Sequence, residues 1–136
     1  MDWKFKKKQY FNPQPKKYGE TATERNGRSF ASKLEAALYD MLRIRVAAGE
    51  LKELKCQVHV YLTEARIHMI PDFSALHVEQ NTVWYFEAKG CETDVYLLKR
   101  KLWTCYGPGP LEIWKGSYKR LLYDRTIIPR RQTTML

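Results

Sequence analysis

The chain switches between two hydrophobic periods. Over residues 29–48, Phe30, Leu34, Leu38, Met41 and Leu42 recur at steps of three and four, with Ala31, Ala36 and Ala37 among them. That spacing predicts a helix with one buried face. Ser29 is its expected N-cap and Gly49 its stop. Residues 55–63 alternate instead, which places Cys56, Val58, Val60 and Leu62 on one face of a half-buried strand. A second strand is expected over 66–78, bent or bulged at Pro71. The third and clearest strand covers 82–89, dense in β-branched and aromatic residues, with Glu79, Gln80 and Asn81 as the turn before it. A second helix is expected over about 94–105. Thr93 or Asp94 caps it, and Val95, Leu98, Leu102 and Cys105 form its inner face. Tyr96 and Trp103 read as packing residues. The run GPGP at 107–110 breaks this helix, and 111–115 read as a short strand. The last twenty residues are basic and show no legible pattern.

The order α-β-β-β-α-β gives an α/β protein with a central mixed β-sheet flanked by helices. No repeat or internal linker divides it, and 136 residues with 44% apolar content suit one folded domain. That domain is taken as 28–136, preceded by an arm over 1–27. The arm holds Lys6, Lys7, Lys8, Lys16 and Lys17, interleaved with Trp3, Phe5, Tyr10, Phe11 and Tyr18, and Pro13 and Pro15 forbid a long helix there. Interleaved cations and aromatics suit phosphates with bases or sugars. A solvated tail is the competing reading.

Charge changes the picture next. Lys and Arg number 24 against 15 acids, a formal charge of +9, which favours a polyanionic partner such as nucleic acid. No apolar run approaches the roughly 18 residues needed to span a bilayer. Lys4, Lys6, Lys7 and Lys8 are not followed by the apolar stretch of a secretory leader. A soluble, intracellular protein is expected. Cys56, Cys91 and Cys105 are odd in number and widely spaced, which argues against a disulfide framework or zinc site. His59, His68 and His77 are not brought together by their spacing and receive no metal role.

The chemistry lies in Pro71-Asp72 and Glu87-Ala88-Lys89. Alternate side chains of a strand share a face, so Glu87 and Lys89 project together while Trp84, Phe86 and Ala88 face the other way. Hairpin pairing with the preceding strand brings Asp72 near Glu87. Two adjacent carboxylates repel unless a cation neutralises them. Hard oxygen ligands select Mg²⁺, with Mn²⁺ as a substitute. Such a site suits phosphodiester hydrolysis, with Lys89 orienting or deprotonating a water or neutralising charge on the phosphate.

These residues resemble the signature of the PD-(D/E)xK nuclease superfamily. The extended pattern Ser32-x-Leu34-Glu35, Pro71-Asp72-Phe73, Glu87-x-Lys89-Gly90 is similar to phage endonuclease I-type Holliday junction resolvases. The resemblance covers roughly residues 28–90. It implies a restriction-endonuclease-like core in which Asp72, Glu87 and the Ala88 carbonyl hold the metal, Lys89 handles the water and Glu35 completes the site. Ser32-x-x-Glu35 also fits a capping box, which is the competing role for Glu35. The resemblance further implies a homodimer acting on branched DNA, chiefly four-way junctions, inside an infected bacterial host. Arg25, Arg28 and Lys33, with Lys99, Arg100 and Lys101 on the second helix, are candidate phosphate contacts beside the arm lysines. Rival readings are the same site acting on DNA ends, flaps or specific sequences, a catalytically silent DNA-binding module, and an RNA-directed protein.

Overall fold

The computed structural model describes residues 23–25 and 28–130. A short hairpin pairs β1 (Thr23–Arg25) with β2 (Arg28–Phe30). Helix α1 (Lys33–Ala47) follows, then β3 (Leu51–Cys56), and a second small hairpin of β4 (Val60–Tyr61) and β5 (His68–Met69). After these come β6 (Phe73–His77), β7 (Thr82–Ala88), α2 (Asp94–Tyr106), β8 (Leu111–Ser117) and β9 (Arg120–Ile127). Five strands form one mixed sheet in the order β3-β6-β7-β8-β9. Only the β7–β8 pairing is parallel, and α2 is the crossover between those two strands. The architecture is α/β, with a mixed central sheet between two helices. None of the described helices is long and apolar enough to cross a membrane.

Alternation along β7 divides the core into two layers. Phe86 joins Phe30, Leu38, Leu42, Leu51 and Phe73 under α1. Tyr85 joins Val60, Leu62, Met69, Trp103, Leu111 and Ile113 under α2 and the β4–β5 hairpin. Trp103 anchors the second layer. It is fully buried, meets the Tyr85 ring edge-on at 5.0 Å, and donates its indole N–H to Gly109 O at 2.9 Å. Gly109 has no room for a side chain, because a Cβ there would sit 2.3 Å from Val83 O. Trp103→Ala should cost about 3–5 kcal/mol in chemical denaturation, from lost burial and the cavity left behind. A loss below about 1 kcal/mol would contradict this packing.

Three expectations about the elements need correction, and one element escaped the sequence reading. First, α1 does not begin near Ser29, because Arg28–Phe30 pair as a strand and Phe30 enters the core from there. The N-cap is Ser32, whose Oγ accepts the Glu35 N–H at 3.1 Å. Gly49 does stop the helix. Its φ of +80° suits glycine, and Gly49 and Glu50 donate to Val46 O and Arg45 O in a Schellman pattern. Second, 55–63 is not one strand. Gln57 takes a left-handed φ of 50° and donates to Asp72 O, so Cys56 packs under α1 while Val58 and Val60 pack under α2. Third, Val95 and Leu98 are 62% and 56% exposed. Tyr96 and Trp103, seven positions apart, take the inner stripe of α2 instead. The element not foreseen is β9, which pairs along the whole of β8.

Candidate active site

Strand β7 carries the site at its C-terminal end. Trp84, Phe86 and Ala88 pack toward α1, as the alternation predicts. Glu87 therefore points to the α2 side. The β6–β7 register pairs Phe73 with Phe86, so Asp72 lies one step beyond, across from Glu87. Pro71 is fully buried and separates β5 from β6. Asp72 is then pinned by hydrogen bonds: its Oδ2 accepts the Ala88 N–H at 2.8 Å, and its carbonyl accepts the Gln57 N–H at 2.7 Å. The Lys89 N–H continues the parallel ladder to Trp114 O at 2.9 Å, which fixes the backbone just past Glu87.

Glu87 is only 7% exposed, and its Oε2 is buried with no hydrogen-bond partner. Burial pushes its carboxyl well above the usual carboxylate range. The charges of Asp72 and Glu35 push the same way, while the Lys89 ammonium and the Asp72 backbone N–H oppose them. Glu35 itself is buried at 6% exposure, and it lies in the first turn of α1 because the helix starts at Lys33 and not near Ser29. Half of the capping pattern is present through Ser32, yet the Glu35 charge still bears on Glu87. The structure thus brings Glu35, Asp72, Glu87 and Lys89 into one electrostatic cluster.

A cavity of about 210 Å³ opens beside it, lined by Met69, Ile70, Glu87, Lys89, Tyr96 and Lys99 among others. That volume holds several water molecules. The Lys89 ammonium lies 4.4 Å from the centre of the Tyr96 ring. The second-helix cations separate clearly. Lys99 faces the cavity, Arg100 is paired with Glu92 at 3.4 Å, and Lys101 is exposed away from it. Lys33 is exposed and sits over the Tyr118 ring at 4.7 Å. Arg25 and Arg28 are register partners in the β1–β2 pairing. The arm lysines Lys6, Lys7, Lys8, Lys16 and Lys17 lie outside the described residues.

Among the described residues, no three His, Cys, Asp or Glu side chains close into a ready metal cage. Magnesium does not require one, since it keeps several waters and takes one or two carboxylates. The donor set fits a hard cation: a buried carboxylate oxygen without a partner on Glu87, with the Asp72 carboxylate held beside it. Sequence reasoning missed Tyr96 as a cavity residue, having assigned it to packing alone. The signal was its place on the same helical face as Lys99, three positions on.

The chain matches no known protein-family model, and no curated protein matches it.

Proposed function

We propose that this protein is a metal-dependent endonuclease that hydrolyses phosphodiester bonds in branched DNA, most specifically at four-way junctions. The observation that carries the proposal is the buried Glu87 carboxylate, its Oε2 without a hydrogen-bond partner, beside Asp72 and Lys89 at an open cavity. Burying a carboxylate oxygen without a hydrogen bond is unfavourable, and such groups concentrate at functional sites. In this reading Asp72, Glu87 and the Ala88 carbonyl hold Mg²⁺ or Mn²⁺, with Glu35 completing the charge balance. A bound ion would supply Lewis acidity toward the phosphodiester and lower the pKa of a water, so that hydroxide is available as the nucleophile. Asp72 stays oriented through the Ala88 N–H. Lys89 either brings a positive charge to the attacked phosphate and orients the water as an ammonium, or takes a proton from the water as the free amine. The wall that includes Met69 and Ile70 limits bulk solvent around Glu87.

The choice of DNA and of branched substrates rests on the net charge of +9 and on the motif resemblance, and the homodimer expectation comes with it. Substrate shape would be read through many phosphate contacts. The test is cleavage of a labelled synthetic four-way junction beside a linear duplex of the same sequence, with and without Mg²⁺. Wild type should cut the junction selectively and only with the metal, and Asp72→Ala should not cut. Equal cutting of both substrates would keep the nuclease and remove the resolvase. Tight junction binding with no cutting in Mg²⁺ or Mn²⁺ would leave a binding module.

A further inference from the structure

Lys89 follows Glu87 by two positions, and both line the same cavity. An ammonium this near a buried carboxylate ordinarily closes an ion pair with it, because a low local dielectric strengthens the attraction. Here that pair is not made. The Lys89 side chain forms no ion pair or hydrogen bond with any described residue, although its charge is felt at Glu87. Its Nζ lies instead 4.4 Å from the centre of the Tyr96 ring, well within cation–π range.

The ring is held from several sides. Tyr96 is 5% exposed and packs in the layer with Trp103. Its backbone N–H donates to the Thr93 Oγ1 at 3.1 Å, in the first turn of α2. One turn further on, Arg100 engages its hydroxyl end, with the guanidinium carbon 5.9 Å from the ring centre, and Arg100 is tied in turn to Glu92. Lysine has the opposite character, a compact charge on a flexible stem. The residue after it, Gly90, stands in open space. A fixed ring therefore locates a side chain that its own backbone does not.

We propose that Tyr96 is a positioning residue whose ring seats the Lys89 ammonium at the cavity and keeps it from closing onto Glu87. The carboxylate then keeps its charge for a cation, and the ammonium keeps its charge for an anion. Two opposite charges coexist in one small site without cancelling. The seat stands on geometry alone, and its part in cleavage rests on the nuclease reading.

The experiment compares wild type, Tyr96→Phe and Tyr96→Leu in three readouts. These are the NMR resonances of the Lys89 ε-methylene in the metal-free protein, thermal melting, and single-turnover DNA cleavage across Mg²⁺ concentrations. A methylene over an aromatic face is shifted upfield by the ring current. The Lys89 ε-protons should lie upfield of those of the exposed Lys101 in wild type and Tyr96→Phe, and return to the ordinary position in Tyr96→Leu. Tyr96→Leu should cut about 10–10²-fold more slowly, the usual effect of a small misplacement, with junction affinity in Ca²⁺ unchanged. It should also need more Mg²⁺ for half its maximal rate, because Lys89 then neutralises Glu87. Tyr96→Phe should rescue both. A merely structural Tyr96 would lower the melting temperature and leave the Mg²⁺ requirement where it was. Tyr96→Met takes the place of Tyr96→Leu if the latter does not fold. Wild-type ε-protons at the Lys101 position would overturn the seat, whatever the protein cuts. If they are shifted and wild type cuts no DNA, the seat stands and the nuclease falls. If wild type cuts, and Tyr96→Leu cuts equally well with the shift lost, the positioning role is overturned and the nuclease stands.

Discussion

Glu87→Gln should raise the melting temperature of the metal-free protein at pH 8. The wild-type carboxylate is buried, lacks a partner at Oε2, and faces the charges of Asp72 and Glu35. Its folded-state pKa lies above the unfolded value, so folding is favoured by the protonated form. Below the ordinary carboxylate range Glu87 is neutral in both states and costs nothing. As pH rises, the unfolded chain loses the proton first, and stability falls until the folded-state carboxyl has titrated too. Glutamine has nearly the same shape and no charge. The gain from the substitution should therefore be small near pH 4, grow with pH and level off, reaching roughly 1–3 kcal/mol. That corresponds to roughly 4 °C per kcal/mol for a chain of this size. Saturating Mg²⁺ should shrink the gain, because the ion stabilises only the wild-type carboxylate. Melting curves from pH 4 to 8 test this. A variant less stable than wild type at pH 8 without metal would mean that Glu87 is a satisfied structural residue.

Lys89→Ala should lower DNA cleavage by about 10²–10⁴-fold, the usual contribution of a positioned proton-transfer group. Binding should change little, because the many other cations of a +9 chain supply the non-specific attraction. Lys89→Arg should not restore full activity. A guanidinium stays protonated and cannot share a proton with water, although it keeps the charge. Single-turnover rates in Mg²⁺, with affinities measured in Ca²⁺, separate chemistry from binding. Near-normal cutting by Lys89→Ala would remove Lys89 from the mechanism and leave it as a cation seated on the Tyr96 ring.

Much of this architecture was legible along the chain, and the reasons are local. Strand β7 was clear because β-branched and aromatic residues alternate with a period of two, and this also put Glu87 and Lys89 on one side. Thr93, Gly49 and the GPGP run set the ends of helices because capping and chain breaking act within a few residues. The α1 start was not legible, since Ser29 and Ser32 are equally good caps and only the β1–β2 pairing decides between them. Gln57 gave no warning of its left-handed backbone, which is tied down by Asp72 from fifteen residues away. The aliphatic spacing of α2 does not mark its inner face, because Val95 and Leu98 are exposed while the two large aromatics Tyr96 and Trp103, legible as packing residues, fill the layer. Strand β9 is amphipathic only weakly, with Leu122 and Tyr123 both exposed, so its pairing with β8 left no periodic mark. The site itself was visible as Asp72, Glu87 and Lys89, but its cavity depends on α2 and the β4–β5 hairpin, whose placement is tertiary.

The measurement that tests the central claim most directly is single-turnover cleavage of a labelled four-way junction in Mg²⁺ by wild type and Glu87→Gln, side by side. Removing one metal carboxylate while keeping its shape should withdraw several kcal/mol of transition-state stabilisation. The account predicts metal-dependent cutting by wild type and a rate on the order of 10³-fold lower, or none, in the variant, which still binds the junction and melts no lower. Cutting by Glu87→Gln at the wild-type rate would contradict it and place any nuclease activity elsewhere in the molecule.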